Sequence, residues 1–291
     1  MKPLIPDNLV GKDLFNYLIE NKDKLIAAKK SLPKYTEPVA AKASLFTIKK
    51  GAPGKKSEVI EQVDEESDAD ATAGAMNENT DALRVKVVSN TCNWCDSQMD
   101  VLLRDSAKRT IKERKGMLVH LHDHIHSIEA KVGEVADVYL QDMNLADLGI
   151  NQVGFTQVII FETDLYKSYN EKIFNQYRLK KINQHSIGLL YVKIELAIND
   201  PDYEKEMDFW NKYYPLVINK DVVDEKGYFW VVSEIKLMEN SCVLFGSNEI
   251  TPTLDISSGT KGDPAKAIPP APPANENEFN WSEQIKSTQF F

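Results

Sequence analysis

The chain has 291 residues, 42% of them hydrophobic, which is enough apolar content for one sizeable core. A formal net charge of −9 argues against nonspecific binding to nucleic acid, because phosphate contacts require clustered lysine and arginine. No stretch approaches the roughly 20 apolar residues that cross a bilayer, and the N-terminus lacks the pattern of a secretory signal. Three cysteines, Cys92, Cys95 and Cys242, are too few for a disulfide framework. We therefore expect a soluble protein of a reducing, intracellular compartment.

Two N-terminal segments are predicted to lie outside the compact domain. Residues 1–50 contain one amphipathic helix, which ends before Pro33 and is expected to stand apart from the rest of the chain. Residues 51–82 are acidic, lack aromatic side chains and bury too little apolar area to offset the entropy of ordering, so they predict a flexible linker. The apolar positions of the helix recur at helical spacing: Leu14, Tyr17, Leu18, Leu25 and Ile26.

Residues 83–254 alternate strand and helix patterns and predict one domain. Helices are predicted around DSAKRTIKERKG, with Gly116 as the stop, YKSYNEKIFNQYRLKK and DYEKEMDFWNKYYPLVIN. Strands are predicted at ALRVKVVSN, MLVHLHDHIH, AKVGEVADVYL, TQVIIFETDL, HSIGLLYVKIELAI and GYFWVVSEIKLMENSCVLFGSN. This order predicts an α+β fold with a mostly antiparallel, β-barrel-like core flanked by helices.

The chain changes character again after residue 254. It becomes Pro-rich and polar and then ends in the aromatic segment FNWSEQIKSTQFF. Residues 255–291 therefore predict a linker and a C-terminal tail, either a docking element or a disordered end. The domain is thus expected to carry flexible extensions at both ends.

Four of the five histidines, His120, His122, His124 and His126, occupy alternate positions in HLHDHIH. On one strand they would project from the same face, and imidazole is a common zinc ligand. A closed site needs three or four ligands from separate elements, however, and the Cys-x-x-Cys pair of CNWC supplies only half of a zinc motif. Two interpretations remain open: a metal site, or strand and loop positions of which at least two have no chemical role.

The residues also permit nucleophilic catalysis. A serine hydroxyl becomes a useful nucleophile when a general base takes its proton and a third group orients that base. Ser186 begins an apolar strand, but its neighbour His185 is a poor base for it, because adjacent strand residues point to opposite faces. The base would then come from residues 120–126.

Glu239 is a carboxylate within an otherwise apolar strand, and it is the candidate for the orienting group. A buried, unpaired charge would be costly, so a buried Glu239 requires a partner. Alternatively, Glu239 lies on the exposed face. Strand parity does not decide, since Leu237, Glu239 and Ser241 share one face and Met238 and Cys242 the other.

Three segments, HDHIHSIEAKVGEV, NQHSIGLLYVKIELAIND and KLMENSCVLFGSNEITPTL, occur in an order that resembles the tailed-phage prohead (procapsid) maturation proteases. The family pattern is an apolar stretch leading into His, a Gly-Val turn, a Ser-Ile/Val-Gly nucleophile strand, and a Leu-x-Glu-x-Ser strand that ends in a turn resembling small residue-Asn-Pro. The chain is most similar to the branch found in phages of gut Bacteroidales. The resemblance covers roughly residues 83–254 and implies the fold of the herpesvirus capsid maturation protease.

The resemblance implies a triad in which Ser186 is the nucleophile, His124 the base and Glu239 the acid that orients it. His122 is the second choice for the base, because His-Asp-His can be aligned with either residue in register. The chain departs from the family at three places: a longer spacing from the His to Gly133, Asn240 after the Glu, and GSN for the common PAN.

The implied function is a procapsid maturation serine endopeptidase that needs neither a metal nor an organic cofactor. Its expected partners are segments of the major capsid protein and scaffold, inside the assembling procapsid in the host cytoplasm. We also expect self-association, and no nucleic acid or membrane partner. The linker and the Pro-rich tail suit self-cleavage, or they are plain spacers.

Two other classes of protein remain open from the sequence. One is a non-catalytic scaffolding or capsid-assembly protein that retains the protease fold, for which the long extensions are the motivating feature. The other is a metal-binding enzyme built on the histidine cluster.

Overall fold

The structure, a computed structural model, describes residues 5–6, 8–31 and 80–258. Most of the predicted linker at 51–82 and all of the tail after Ser258 lie outside these residues. The first strand begins at Ala82, and the last strand runs to Ser258, four residues past the expected end of the domain. No helix of the described ranges is long and apolar enough to cross a membrane.

Eight strands form one mixed sheet, and helices pack outside it, so the predicted α+β class is confirmed. The strands are β1 (Ala82–Thr91), β2 (Asp100–Leu102), β3 (Val119–His122), β4 (Lys131–Asn144), β5 (Phe155–Tyr166), β6 (His185–Ile198), β7 (Tyr228–Cys242) and β8 (Thr253–Ser258). The helices are α1 (Gly11–Glu20), α2 (Lys22–Lys30), α3 (Lys108–Arg114), α4 (Glu171–Arg178), α5 (Glu204–Tyr213) and α6 (Lys220–Lys226). The strand order is β2-β7-β3-β4-β5-β1-β8, and β6 also pairs with β7.

Pairing within the sheet is mostly antiparallel, as predicted. The two exceptions are β2 and β3, which run parallel to β7. Both faces of the sheet are apolar, because alternate residues of β5 enter different clusters: Ile159 and Phe161 join the main core, while Val158 and Ile160 join a smaller one. A strand buried on both faces reads as a continuous apolar run, and VIIF in β5 is such a run.

The sheet is open, whereas the sequence predicted a barrel-like core. In the described part of the chain β6 pairs only with β7, and β8 only with β1. The segments at the start of these two edge strands nevertheless approach each other. The Thr253 amide donates to Asn183 Oδ1 at 2.9 Å, and the His185 amide donates to Thr251 Oγ1 at 3.0 Å. Side chains thus bridge the gap that a barrel would close with a backbone ladder.

The strand β7 organises the end of the sheet that carries the candidate site. It has 15 residues, pairs along one edge with β6, and pairs along the other edge with β2 and then β3. The C-terminal ends of β3 and β7 therefore meet the N-terminal end of β6. Three segments that are far apart in sequence come together there.

The two N-terminal helices pack against this domain, so the expectation that they stand apart is wrong. Leu14, Phe15, Leu18 and Leu25 are buried in the main core. An amphipathic helix gains most of its stability by burying such a face, and its partner surface cannot be seen in a local sequence pattern. Three lysines add ion pairs to the body of the domain: Lys12 to Asp202, Lys22 to Glu206 at 2.7 Å and Lys29 to Asp100 at 2.6 Å.

Several other elements differ from the sequence prediction. The predicted N-terminal helix is two helices that break at Asn21. The short elements β2 and α6 were not predicted, because three and seven residues are too few to show a hydrophobic period. The predicted histidine strand is only four residues long.

We predict that Leu18→Ala lowers the free energy of unfolding by about 2–5 kcal/mol, because it leaves a cavity where a fully buried side chain packs. The matched control is Val10→Ala, whose side chain is 75% exposed and should cost no more than about 0.5 kcal/mol. Urea unfolding of the full chain measures both values. Equal, small effects would show that the helices do not belong to the cooperative unit.

Candidate active site

The histidine segment leaves the sheet after His122. Asp123 and His124 have φ values of 52° and 55°, in the left-handed region, which Asp and His adopt more readily than most residues. The turn is held by the Asp123 amide, which donates to the Cys242 carbonyl at 3.0 Å. The sequence pattern suggested that the four histidines project from one strand face, but the turn separates them, so they do not.

This turn brings His124 to Glu239. Nδ1 of His124 lies 2.6 Å from Oε1 of Glu239. The Glu239 side chain is 1% exposed and the His124 side chain 38%, so a buried carboxylate holds a half-buried ring. An ionised carboxylate only accepts hydrogen bonds, so Nδ1 is the donor, and Nε2 of the neutral ring carries the lone pair. The exposed position for Glu239 is thereby excluded.

Ser241 ties the same two residues together, and the sequence reasoning did not assign it a role. Its Oγ donates to Glu239 Oε2 at 2.8 Å and accepts the His124 amide at 3.1 Å. Ser241 is fully buried. The available signal was its position two residues after Glu239, on the same face of the strand.

Ser186 lies on the face of the sheet that carries Glu239. In the antiparallel β6–β7 pair Ser186 is opposite Ser241, and Gly188 is opposite Glu239. Residues directly opposite each other share a face, with Cβ atoms about 4.5–5.5 Å apart. Half-buried Ser186 thus stands beside the Ser241 hydroxyl that bonds the His124 amide.

Gly188 is required by the close approach of Glu239. A Cβ at this position would lie 2.2 Å from Oε1 of Glu239, the oxygen that bonds His124. Any side chain would therefore push the carboxylate away from the ring. Gly133 has a similar constraint, since its Cβ would lie 2.2 Å from the Asp164 carbonyl oxygen, but it sits inside β4 and not in the turn that the family pattern suggested.

The remaining candidate histidines have separate environments. His122, the second choice for the base, aligns with Cys242 on β3–β7, and its Nδ1 lies 3.1 Å from Asp123 Oδ2. His126 is exposed. His120 and His185 are fully buried and neutral, because loss of solvation lowers the pKa of His120 well below its ordinary value and that of His185 to about 4.

No three metal-ligating side chains converge within the described ranges. The four clustered histidines separate into core, turn and surface positions, which removes the geometric basis for a four-imidazole site. Cys92 and Cys95 are buried, and burial raises the pKa of the Cys92 thiol to about 12, which opposes the thiolate form that binds zinc.

Comparison with protein families, with curated proteins and with solved structures found no match to this chain.

We predict that His185 contributes stability at neutral pH that is lost as the pH falls from about 6.5 towards 4. The folded pKa is lowered, so in this window the unfolded chain binds a proton that the folded chain does not. A shift from 6.5 to about 4 corresponds to roughly 3 kcal/mol in full.

The measurement is the difference in unfolding free energy between the wild type and His185→Gln, at pH 7.5 and at pH 4.5. Between pH 7.5 and pH 4.5 the wild type should lose about 2–3 kcal/mol of unfolding free energy relative to His185→Gln. The Asp96 carboxyl, whose pKa is raised to about 7 chiefly by desolvation, has the opposite dependence but contributes equally to both proteins. A pH-independent difference would contradict a neutral, buried His185.

We also predict that Gly188→Ala lowers the free energy of unfolding by about 1–3 kcal/mol, because the added methyl group overlaps the Glu239 carboxylate. Gly116→Ala is the control, since a Cβ there meets no atom within 4 Å and its effect should stay within about 0.5 kcal/mol. Chemical denaturation checks both. Equal stability of the two variants would show that the carboxylate can move away at no cost.

Proposed function

We propose that the chain is a serine endopeptidase in which His124, oriented by Glu239, activates Ser186. The observation that carries the proposal is the 2.6 Å hydrogen bond from His124 Nδ1 to the buried Glu239 carboxylate, on the sheet face that also bears Ser186. This is the base and orienting acid that a serine nucleophile requires. Of the two candidate bases, His124 contacts Glu239 and His122 does not share that face.

The proposed reaction is amide hydrolysis through an acyl-enzyme. His124 Nε2 takes the proton of the Ser186 hydroxyl as its oxygen attacks the peptide carbonyl carbon. The imidazolium then gives this proton to the leaving amine when the C–N bond breaks. A water molecule, deprotonated by the same nitrogen, attacks the ester, and the proton returns to Ser186 as the acid is released.

Glu239 has two tasks in this scheme. Its bond to Nδ1 keeps the lone pair of the ring on Nε2, and its charge stabilises the imidazolium that forms during the attack. Ser241 satisfies the second carboxylate oxygen and fixes the His124 backbone, so the carboxylate is held from two sides. The substitution Glu239→Gln would remove the charge that stabilises the imidazolium.

The substrate class rests on the sequence resemblance together with this geometry. We propose a procapsid maturation protease that cleaves segments of the major capsid protein and scaffold, and accessible segments of itself, within the assembling procapsid in the host cytoplasm. A core related to that of the herpesvirus capsid protease belongs to the same proposal. The support is that the end of β3, the start of β6 and the end of β7, which belong to the three motifs of the resemblance, meet at one end of a mostly antiparallel sheet.

We predict that Ser186→Ala and His124→Ala each remove nearly all cleavage of the major capsid protein, because a positioned base alone contributes about 10²- to 10⁴-fold. Co-expression of each variant with that protein, followed by mass determination of the products, measures the effect. His126→Ala, an exposed position in the same loop, is the control and should cleave as the wild type does.

The outcomes separate the candidate functions. Intact capsid protein with the wild-type chain, or cleavage that persists in Ser186→Ala, would contradict the protease and favour a non-catalytic assembly protein. Equal loss in His120→Ala, His122→Ala and His124→Ala, with one bound zinc in the wild type, would favour a metal-dependent enzyme.

A further inference from the structure

A buried chain of hydrogen bonds joins the strand before the proposed base to the strand of the proposed nucleophile. His120 in β3, Tyr177 in α4 and His185 in β6 are all completely buried. The Tyr177 hydroxyl lies 2.9 Å from His185 Nε2 and 3.3 Å from His120 Nε2. His120 Nδ1 lies 3.0 Å from Thr163 Oγ1, and His185 Nδ1 lies 2.8 Å from the Thr251 carbonyl oxygen.

Only one arrangement of protons satisfies all of these hydrogen bonds, and it is set by the Thr251 carbonyl at one end of the series. The Thr251 carbonyl can only accept, so His185 Nδ1 is protonated and His185 Nε2 is an acceptor. Tyr177 therefore donates its single proton to His185 and accepts from His120 Nε2–H. His120 Nδ1 is then an acceptor for the Thr163 hydroxyl. Both rings are neutral, and they carry opposite tautomers.

These hydrogen bonds join two strands that do not pair with each other, because β7 lies between β3 and β6. His185 immediately precedes Ser186, and its side chain lies on the opposite face of β6. His120 lies four residues before His124, at the start of the strand that leads into the turn. The His120 and His185 rings also contact each other edge to face, with centroids 6.2 Å apart, and the Tyr177 hydroxyl bonds both of them.

We propose that Tyr177 is a positioning residue, which sets the spacing of the nucleophile strand and the base strand through His185 and His120. This role rests on the protease function proposed above. It gives the hydroxyl a purpose that packing alone would not, since a phenyl ring would fill the same volume. Loss of the hydroxyl leaves His185 Nε2 and His120 Nε2–H buried without a partner, which favours rearrangement of both strands.

The surroundings make the chain sensitive to acid. Among the described residues, the ionisable groups that face these hydrogen bonds are the two imidazoles, Tyr177 itself and the Cys242 thiol of β7. There β5 and the segment before β8 contribute neutral Thr163 and Thr251. A proton on His185 Nε2 would remove the acceptor of the Tyr177 hydroxyl. Acid therefore has the same local effect as removal of the hydroxyl.

The test uses the full chain, a fluorophosphonate probe that labels active serines, and the variants Tyr177→Phe and Tyr169→Phe. Tyr169 is the matched control, because its hydroxyl donates one hydrogen bond, to Glu134 at 2.6 Å, and takes no part in the hydrogen bonds between His120, Tyr177 and His185. We expect Tyr177→Phe to lower the maximal rate of Ser186 labelling about tenfold, with unchanged half-saturation by the probe, since one bond in a buried network is worth about that factor. Tyr169→Phe should match the wild type.

A second variant and a pH profile guard against a simple folding defect. Thr163→Val removes only the hydroxyl that donates to His120 Nδ1. It should lower the rate of Ser186 labelling about twofold to threefold, a smaller effect than that of Tyr177→Phe. On acidification the wild type should lose the part of its labelling rate that depends on the neutral His185 ring, whereas Tyr177→Phe should lack this loss. In ¹⁵N spectra of the wild type, His120 and His185 should show opposite neutral tautomers.

Wild-type labelling at Ser186 with an unchanged rate and pH profile in Tyr177→Phe would overturn the positioning role and leave the protease intact. Identical tautomers in the two rings would also overturn it. An absence of labelling in the wild type would instead contradict the protease, and the role of Tyr177 with it.

Discussion

The burial of one carboxylate constrains this end of the molecule more than any other interaction. A charge that is withdrawn from water must be met by hydrogen-bond donors, and Glu239 finds them in the His124 ring and the Ser241 hydroxyl. Those donors require β3 to end in a turn and Gly188 to leave room on β6. The positions of the proposed base, of the strand that bears the proposed nucleophile and of the intervening β7 all follow from this requirement.

Much of the architecture could be predicted from local patterns. The strands β4 to β7 and the helices α4 and α5 carry clear periods, and α3 was marked by the glycine stop at Gly116, so their presence was predicted together with the α+β class. The turn at Asp123 and His124 was not, because two non-glycine residues with positive φ leave no reliable mark in a sequence. The docking of α1 and α2 was not predicted either, because it depends on a surface that is distant in sequence. The open edges of the sheet were not predicted because they depend on strand register.

The candidate site divides in the same way. Ser186 and Glu239 could be selected because each is a polar exception in an apolar strand, and His124 was preferred to His122 by its place in the motif. Ser241 escaped notice, since a serine in a strand is ordinary until the register places it beside both partners. The buried pair His120 and His185 could not be recognised either, because they lie on two strands that do not pair, and the side chain that bonds both, Tyr177, comes from a helix between them in sequence.

The contact between Gly188 and Glu239 also has a consequence for how this chain can change over time. A side chain at 188 and the present rotamer of the glutamate exclude each other, so a change at one position restricts the choice at the other. A lineage that gains a side chain at 188 must shorten or remove the acid, and with it the orientation of the imidazole. Glycine at 188 and an acid at 239 are therefore expected to occur together in related chains that keep this pairing of carboxylate and imidazole.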